Sequence, residues 1–366
     1  MPRKKTARRK RGPSWKITQL DIKTRRRLRS FFLAIIVLIS TAVVGLSIHF
    51  YNYLRSPLVS ASDGSYAVSN GWDRDSRFNV LLVGEGEGGS TSFSEITYLS
   101  ILSLDPQDKS ALLLDIPKDL LINSAFIPIK QFTDKDNSSN LNQVNEISVA
   151  VSSALGVRFG GFVVIGKEES NNLSSSFEAT SSKSVINELR SPLNWVRPSE
   201  ISKIIKAVVS TNLRIIDYIN GAVFFASVRP DKIITETAEA DWFSSKAKLS
   251  EKMRSLFVEK RVVDEGQKIV VLNGTGETGL ATKASVIINQ LGGDVIEVTN
   301  TNGSVFPESV LVVRDLKDSY TKNRLINIFK VKEVREVDSF SGDPLYNILK
   351  RSDLSLILGL DRPNSL

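Results

Sequence analysis

Hydrophobic and polar positions divide the chain into one long apolar run and two stretches that mix strand and helix patterns. The apolar run covers residues 31–54 and contains no Asp, Glu, Lys or Arg. At ~1.5 Å per residue it is long enough to cross the ~30 Å hydrocarbon core of a bilayer. We therefore predict a single N-terminal transmembrane helix. Residues 55–76 are rich in Ser, Gly and Asp without apolar periodicity, which predicts a linker.

The first mixed stretch covers residues 77–240. Short apolar runs predict strands, and apolar residues three and four apart predict helices. The predicted strands are 78–84, 96–104, 110–116 and 162–166, with a hairpin turn at 105–109. The predicted helices are 142–156, 201–212 and 213–228.

A charged connector helix is predicted within residues 241–267, and a second, smaller unit follows at 268–361. This unit is predicted to contain strands 268–272, 294–298, 309–313, 332–337 and 354–358 and helices 279–291 and 319–329. The predicted fold class is α/β throughout, in two external domains behind one membrane helix.

Charge is distributed very unevenly along the chain. Residues 1–30 hold thirteen of the 48 Lys and Arg residues and one of the 40 acids, so the rest of the chain carries four more acids than bases. Basic residues before an apolar run keep that end in the cytoplasm, so we expect a signal anchor with an extracytoplasmic body. The tail has no feature that indicates nucleic acid, although it can contact anionic lipid. The alternative is a signal peptide cleaved near Val59-Ser60-Ala61, but the apolar run is too long and ends too early.

Missing residue types exclude several kinds of chemistry. The chain has no Cys, and its one histidine, His49, lies in the apolar run. Disulfides, His/Cys zinc sites and Ser-His-Asp triads therefore cannot form in the external body. Catalysis there would need carboxylates, Lys, Arg, hydroxyls or a bound hard cation such as Mg²⁺.

A glycine-rich segment, VLNGTGETGLATK, has the spacing of a dinucleotide-binding loop at Gly274, Gly276 and Gly279. The topology places it outside the cell membrane, and about 90 residues after it are too few for a doubly wound dinucleotide domain of the usual size. A tight turn from strand to helix needs glycines without any phosphate. We therefore predict that Asn273 and these three glycines form a structural turn and bind no cofactor.

This segment instead resembles the LytR C-terminal domain. The matching positions are Asn273, Gly274, Thr275, Gly279, Leu280 and Ala281, with Asp353, Gly359 and Asp361 in the closing strand. That domain commonly follows a LytR-CpsA-Psr catalytic domain, and residues 77–240 resemble one. The similar segments are FNVLLVG, ITYLSILSLDPQDKSALLLDIPKDLLI, ALGVRFGGFVVIG and STNLRIIDYINGAVFFASVRPDKI.

The resemblance implies that arginines bind the pyrophosphate of a polyprenyl-linked glycan. Aspartates with Mg²⁺ then act in its transfer to the cell wall. Several motif positions differ here. Glu85 and Glu87 stand without an arginine, Phe93-Ser94-Glu95 replaces Arg-x-Asp, and Pro117-Lys118-Asp119 replaces Pro-Arg-Asp. A lysine cannot form the bidentate fork of an arginine.

Candidate site residues are therefore Glu95, Lys118 and Asp119, with Glu95 and Asp119 as the metal ligands. Arg158, Arg190 and Arg197 could be recruited, although we expect them to be ordinary solvated surface residues.

Two functions follow from this pattern. The first is a membrane-anchored cell-envelope protein that binds cell-wall glycopolymer, polyprenyl phosphate lipid or an envelope protein, with little or no catalysis. The alternative is an active Mg²⁺-dependent phosphotransferase that attaches lipid-pyrophosphate-linked glycopolymer to peptidoglycan.

Overall fold

The computed structural model describes residues 52, 71–84, 98–117, 140–166 and 208–361. The chain divides into two compact units, Met1–Leu54 and Arg55–Leu366. The predicted transmembrane segment, residues 31–54, lies outside the described residues except for Asn52. Within the described ranges, no helix combines the length and apolar character that a membrane span requires.

The first sheet has six strands in the order β5-β4-β1-β2-β3-β6. Strand β1 pairs antiparallel with β2 and parallel with β4, and β3 pairs antiparallel with β2 and parallel with β6. The strands are β1 (Phe78–Gly84), β2 (Tyr98–Asp105), β3 (Ser110–Asp115), β4 (Gly161–Ile165), β5 (Val208–Thr211) and β6 (Ile233–Thr237).

Helices pack on both faces of this sheet, which explains why its central strands are almost continuously apolar. The helices of this region are α1 (Asn140–Leu155), α2 (Ile215–Ser227), α3 (Lys246–Phe257) and α4 (Lys260–Glu265). Helices α1 and α3 contribute to a core that contains Leu81, Ile101 and Leu114. The opposite core contains Trp72, whose ring stacks on Phe78 with centroids 5.5 Å apart.

The second sheet has five strands in the order β10-β9-β11-β7-β8, with β11 parallel to β7 and antiparallel to β9. Its strands are β7 (Lys268–Asn273), β8 (Asp294–Asn300), β9 (Val310–Val313), β10 (Glu333–Glu336) and β11 (Leu354–Leu358). Helices α5 (Leu280–Gln290) and α6 (Tyr320–Phe329) cover one face. A 3₁₀ turn (Val337–Phe340) and α7 (Tyr346–Leu349) cover the other.

Most predicted elements that fall within the described residues are confirmed, and four stretches differ. Residues 208–211 form strand β5 at the sheet edge instead of the end of a helix, because tertiary pairing with β4 determines their conformation. Strand β6 was not predicted. The expected connector helix is two helices separated by Val258 and Glu259. Its apolar residues Leu249, Met253 and Phe257 are buried in the first core, so it is part of that domain's packing. Residues 71–76, expected in the linker, also pack on the first sheet through Trp72.

Candidate functional site

Along the edge of the first sheet where strands start and stop, the ends of its central strands lie side by side. Gly84, the last residue of β1, is paired with Tyr98, the first residue of β2, and with Ile165 at the end of β4. Asp115, the last residue of β3, is paired with Ser100. We call this edge the strand-end edge. The segments that carry the sequence-predicted site residues leave from or return to it.

The predicted site side chains themselves lie outside the described residues. Pro117 is the last described residue before Lys118 and Asp119, and Tyr98 is the first described residue after Glu95. Arg190 and Arg197 also lie outside the described ranges. The described strand ends next to these residues are Gly84, Tyr98 and Asp115.

A polar group missed by the sequence predictions lies at the strand-end edge. Tyr98 is 4% exposed and Ser100 is fully buried, and Ser100 faces Asp115 across the β2–β3 pair. Burial raises the pKa of Tyr98 above its usual range; a hydrogen bond from the Ser100 side chain acts against this shift, and the charge of Asp115 adds to it. The phenol is protonated at neutral pH, and the shift makes its ionisation harder still. A sequence signal existed, because Tyr98 and Ser100 interrupt one face of an otherwise apolar strand.

Arg158 lies at the other end of the first sheet. Its carbonyl accepts a hydrogen bond from Nδ2 of Asn79 at 3.0 Å, near the start of β1. The seven residues of β1 span about 20 Å, so Arg158 is remote from the strand-end edge. The expectation of an ordinary solvated surface residue was wrong for Arg158. Its side chain is half-buried, and burial lowers its pKa to about 10.

The glycine-rich turn joins β7 to α5 and is held by its own side chains. Oδ1 of Asn273 accepts hydrogen bonds from the amide of Thr275 at 3.0 Å and its hydroxyl at 2.8 Å. Nδ2 of Asn273 donates to the carbonyl of Glu277 at 2.6 Å. Both acceptor positions and one of the two N–H donors of this 6% exposed side chain are thus used within the turn.

Different geometrical requirements explain why glycine occupies each of these positions in the turn. Gly276 and Gly279 have φ of +78° and +85°, a left-handed conformation that other residues adopt at a cost. Gly274 lies against β11, and a Cβ there would be 2.8 Å from the carbonyl oxygen of Leu358. Close backbone packing and turn conformation therefore account for all three positions.

The two sheets are joined by a buried ionic cluster centred on Glu259 and Arg324. The closest approach between their charged groups is 2.7 Å, and their side chains are 1% and 10% exposed. Tyr320 donates to Glu259 at 2.6 Å, while Arg324 also donates to the carbonyl of Arg77 at 2.9 Å and to the hydroxyl of Ser76 at 3.1 Å. Burial alone would lower the pKa of Arg324, but Glu259 and Tyr320 raise it. Arg324 therefore stays charged within the cluster, where the carboxylate of Glu259 faces it.

The described part of the chain contains no group of three or more His, Asp or Glu side chains that could hold a metal ion. The predicted ligands Glu95 and Asp119 fall outside that part.

No protein-family model matches the chain, and no curated protein matches it. Solved structures do match. The LytR-CPS2A-psr family protein YwtF (TagT) with bound octaprenyl pyrophosphate lipid is 16% identical, with 49% of this chain and 85% of that chain covered and a TM-score of 0.27. Bacillus subtilis TagT is 14% identical; the match covers 53% of this chain and 98% of that chain, with a TM-score of 0.29. A transcriptional regulator (EF0465) from Enterococcus faecalis is 10% identical; the match covers 61% of this chain and 91% of that chain, with a TM-score of 0.33. The neighbours thus include LytR-CPS2A-psr proteins, but identities and TM-scores of this size establish neither family nor function for this chain.

Proposed function

We propose that this chain is a membrane-anchored protein of the cell envelope that binds a polyprenyl-linked glycan or cell-wall polymer with little or no transfer activity. The proposal places residues 1–30 in the cytoplasm, residues 31–54 in the membrane and the body outside. It is supported by the charge asymmetry of the chain and by the resemblance of its motifs to LytR-CpsA-Psr and LytR C-terminal domains.

The observation that carries the proposal is the convergence of strand ends at the strand-end edge. Two sequence segments carry the three altered family motifs and are attached there: residues 85–97, between Gly84 and Tyr98, and the segment after Asp115. Segments attached to one sheet edge can close around one ligand, as loops at strand ends commonly do. Lys118 and Asp119 follow Asp115 within four residues.

Charge favours binding over catalysis. Departure of a pyrophosphate needs cationic donors where negative charge develops. Two motif arginines are absent and a third is replaced by Lys118, which gives a point charge without a bidentate fork. Arg158 cannot replace them, since it lies near the opposite end of β1. One lysine can still contribute to binding a diphosphate.

A binding measurement tests this proposal. The full-length chain in detergent micelles would be titrated with octaprenyl pyrophosphate, and we expect saturable binding that weakens about tenfold in Lys118→Ala, the typical effect of losing a charged hydrogen bond. The matched control is Lys232→Ala, because Lys232 is exposed and precedes β6 at the other end of the sheet. Absence of saturable binding, or equal loss in both variants, would contradict the proposal.

The proposed topology has its own test. Protease added to intact spheroplasts should digest the chain beyond residue 60 and leave a tag at Met1 intact. Protection of the body would reject the extracytoplasmic location.

A further inference from the structure

Helix α2 carries an apolar face on the outside of the body. Its single charged residue, Asp217, is 2% exposed and pairs with Arg214 at 2.9 Å. With 3.6 residues per turn, five apolar residues fall within a sector of about 100° on the other side of the helix. These residues, which we call the α2 face, are all exposed or half-buried: Ile215, Ile216, Ile219, Val223 and Ala226.

Two side chains of the α2 face are open to solvent. Val223 is 65% exposed and Ile219, one turn before it, is 40% exposed. The outer face of a helix on a soluble body normally carries charged and polar residues. A contiguous apolar face at the surface therefore indicates that a second apolar surface covers it.

The first described residues of the body are fastened to this same helix. The backbone N–H of Trp72 donates to Oδ1 of Asp217 at 2.9 Å, and its ring meets the ring of Phe224 edge-on with centroids 5.4 Å apart. Arg74 donates to the side-chain oxygen of Asn220. The chain thus enters the body at α2.

The length of chain before this entry point keeps α2 near the bilayer. Only the residues of segment 55–70 separate Gly71 from the apolar run 31–54. At no more than ~3.5 Å per residue that segment reaches at most ~55 Å. Tethering within such a distance raises the effective concentration of the bilayer surface at α2. A small apolar face can then stay in contact with lipid that it would bind only weakly without the tether.

We propose that the α2 face rests on the outer surface of the lipid bilayer, with Ile219 and Val223 among the upper parts of the acyl chains. The α2 face has no charged side chain that such contact would bury. The inference rests on the membrane anchor of the proposed function. It goes beyond that function because it assigns the side of the body that faces the lipid.

Site-specific quenching in vesicles tests this contact. The full-length chain would be reconstituted in vesicles of phosphatidylglycerol and phosphatidylethanolamine. Because the chain has no cysteine, Val223→Cys provides one site for an environment-sensitive fluorophore. Nitroxides on the acyl chains should reduce its emission, and aqueous iodide should not. The matched control is Val305→Cys, which is 62% exposed and lies between β8 and β9; its label should show the reverse pattern.

A second labelled site keeps the test independent of one substitution. The label at Ile219→Cys should also lose emission to the lipid nitroxides. Adding Val223→Asp should abolish this loss, because a carboxylate is costly to place in hydrocarbon. Adding Val305→Asp instead should leave it unchanged.

The other outcomes overturn the inference in distinguishable ways. Iodide quenching at both α2 sites would mean that the α2 face lies in water. Protection from both quenchers would mean that protein covers it. A chain that does not float with the vesicles would reject the membrane anchor, and this inference with it. A chain that floats without lipid quenching at α2 would reject this inference alone.

Discussion

Replacing Arg324 with Leu should be among the most destabilising single changes in the body. The variant leaves the carboxylate of Glu259, which is 1% exposed, without its ionic partner at 2.7 Å. It also removes the donors to the carbonyl of Arg77 and the hydroxyl of Ser76. Breaking a buried pair by removing one member typically costs about 3–5 kcal/mol. The loss here should lie in that range, because Tyr320 continues to donate to Glu259 but supplies no charge.

Urea unfolding of the full-length chain measures this loss. With a slope of about 3 kcal/mol per molar urea, the midpoint should fall by about 1–1.7 M. Two probes distinguish the two sheets, because none of the four tryptophans lies in residues 268–361. Tryptophan fluorescence follows the first sheet and circular dichroism follows both, so the variant should separate transitions that the cluster otherwise couples.

The control is Arg335→Leu, which removes an arginine from an exposed pair with Glu333 at 2.7 Å. Exposed pairs contribute little, so this variant should unfold almost like the original chain. Combining Glu259→Leu with Arg324→Leu should recover part of the loss, since the charge is then no longer buried alone. An Arg324→Leu midpoint equal to that of Arg335→Leu, or simple additivity in the double variant, would refute the reasoning.

Three further predictions concern local chemistry and backbone geometry. Burial, with the charges of Arg158 and Arg324, lowers the pKa of Lys330 to about 8 from 10.5, and titration by NMR should find this value. The protein should also gain a little stability as pH rises from about 8 towards 10.5, because the unfolded chain binds more protons than the folded chain in that range. A measured pKa near 10.5 for Lys330 would contradict this. Gly221→Ala should stabilise α2 by about 0.5–1 kcal/mol in thermal unfolding, because the new Cβ would be 3.6 Å from its nearest neighbour, an ordinary contact; destabilisation would refute it. Gly279→Ala should instead destabilise by about 1–2 kcal/mol despite open space around it, because its φ is +85°; a neutral effect would count against this.

Local pattern predicted the second sheet well. Its strands are short apolar runs bounded by turn residues, and strand β11 was predicted with the observed bounds, Leu354–Leu358. The predictions failed where tertiary contacts determine the conformation or the burial of a segment. Residues 208–211 pair with β4, and α3 turns three apolar side chains into the first core although most of its residues are polar.

The candidate site was less predictable for the same reason. Motif resemblance selected Lys118 and Asp119 by sequence alone. Glu259 and Arg324 are 65 positions apart, and only folding brings them together.

The most direct test of the proposed function is a transfer assay. The detergent-solubilised full-length chain would be incubated with Mg²⁺, a lipid-pyrophosphate glycan and peptidoglycan oligomers. Loss of one preorganised donor lowers rates by roughly 10²–10³, and several motif donors are absent here, so we predict saturable binding of the glycan lipid with little or no transfer. Efficient turnover that disappears in Lys118→Ala and Asp119→Ala would contradict the account and identify an active phosphotransferase.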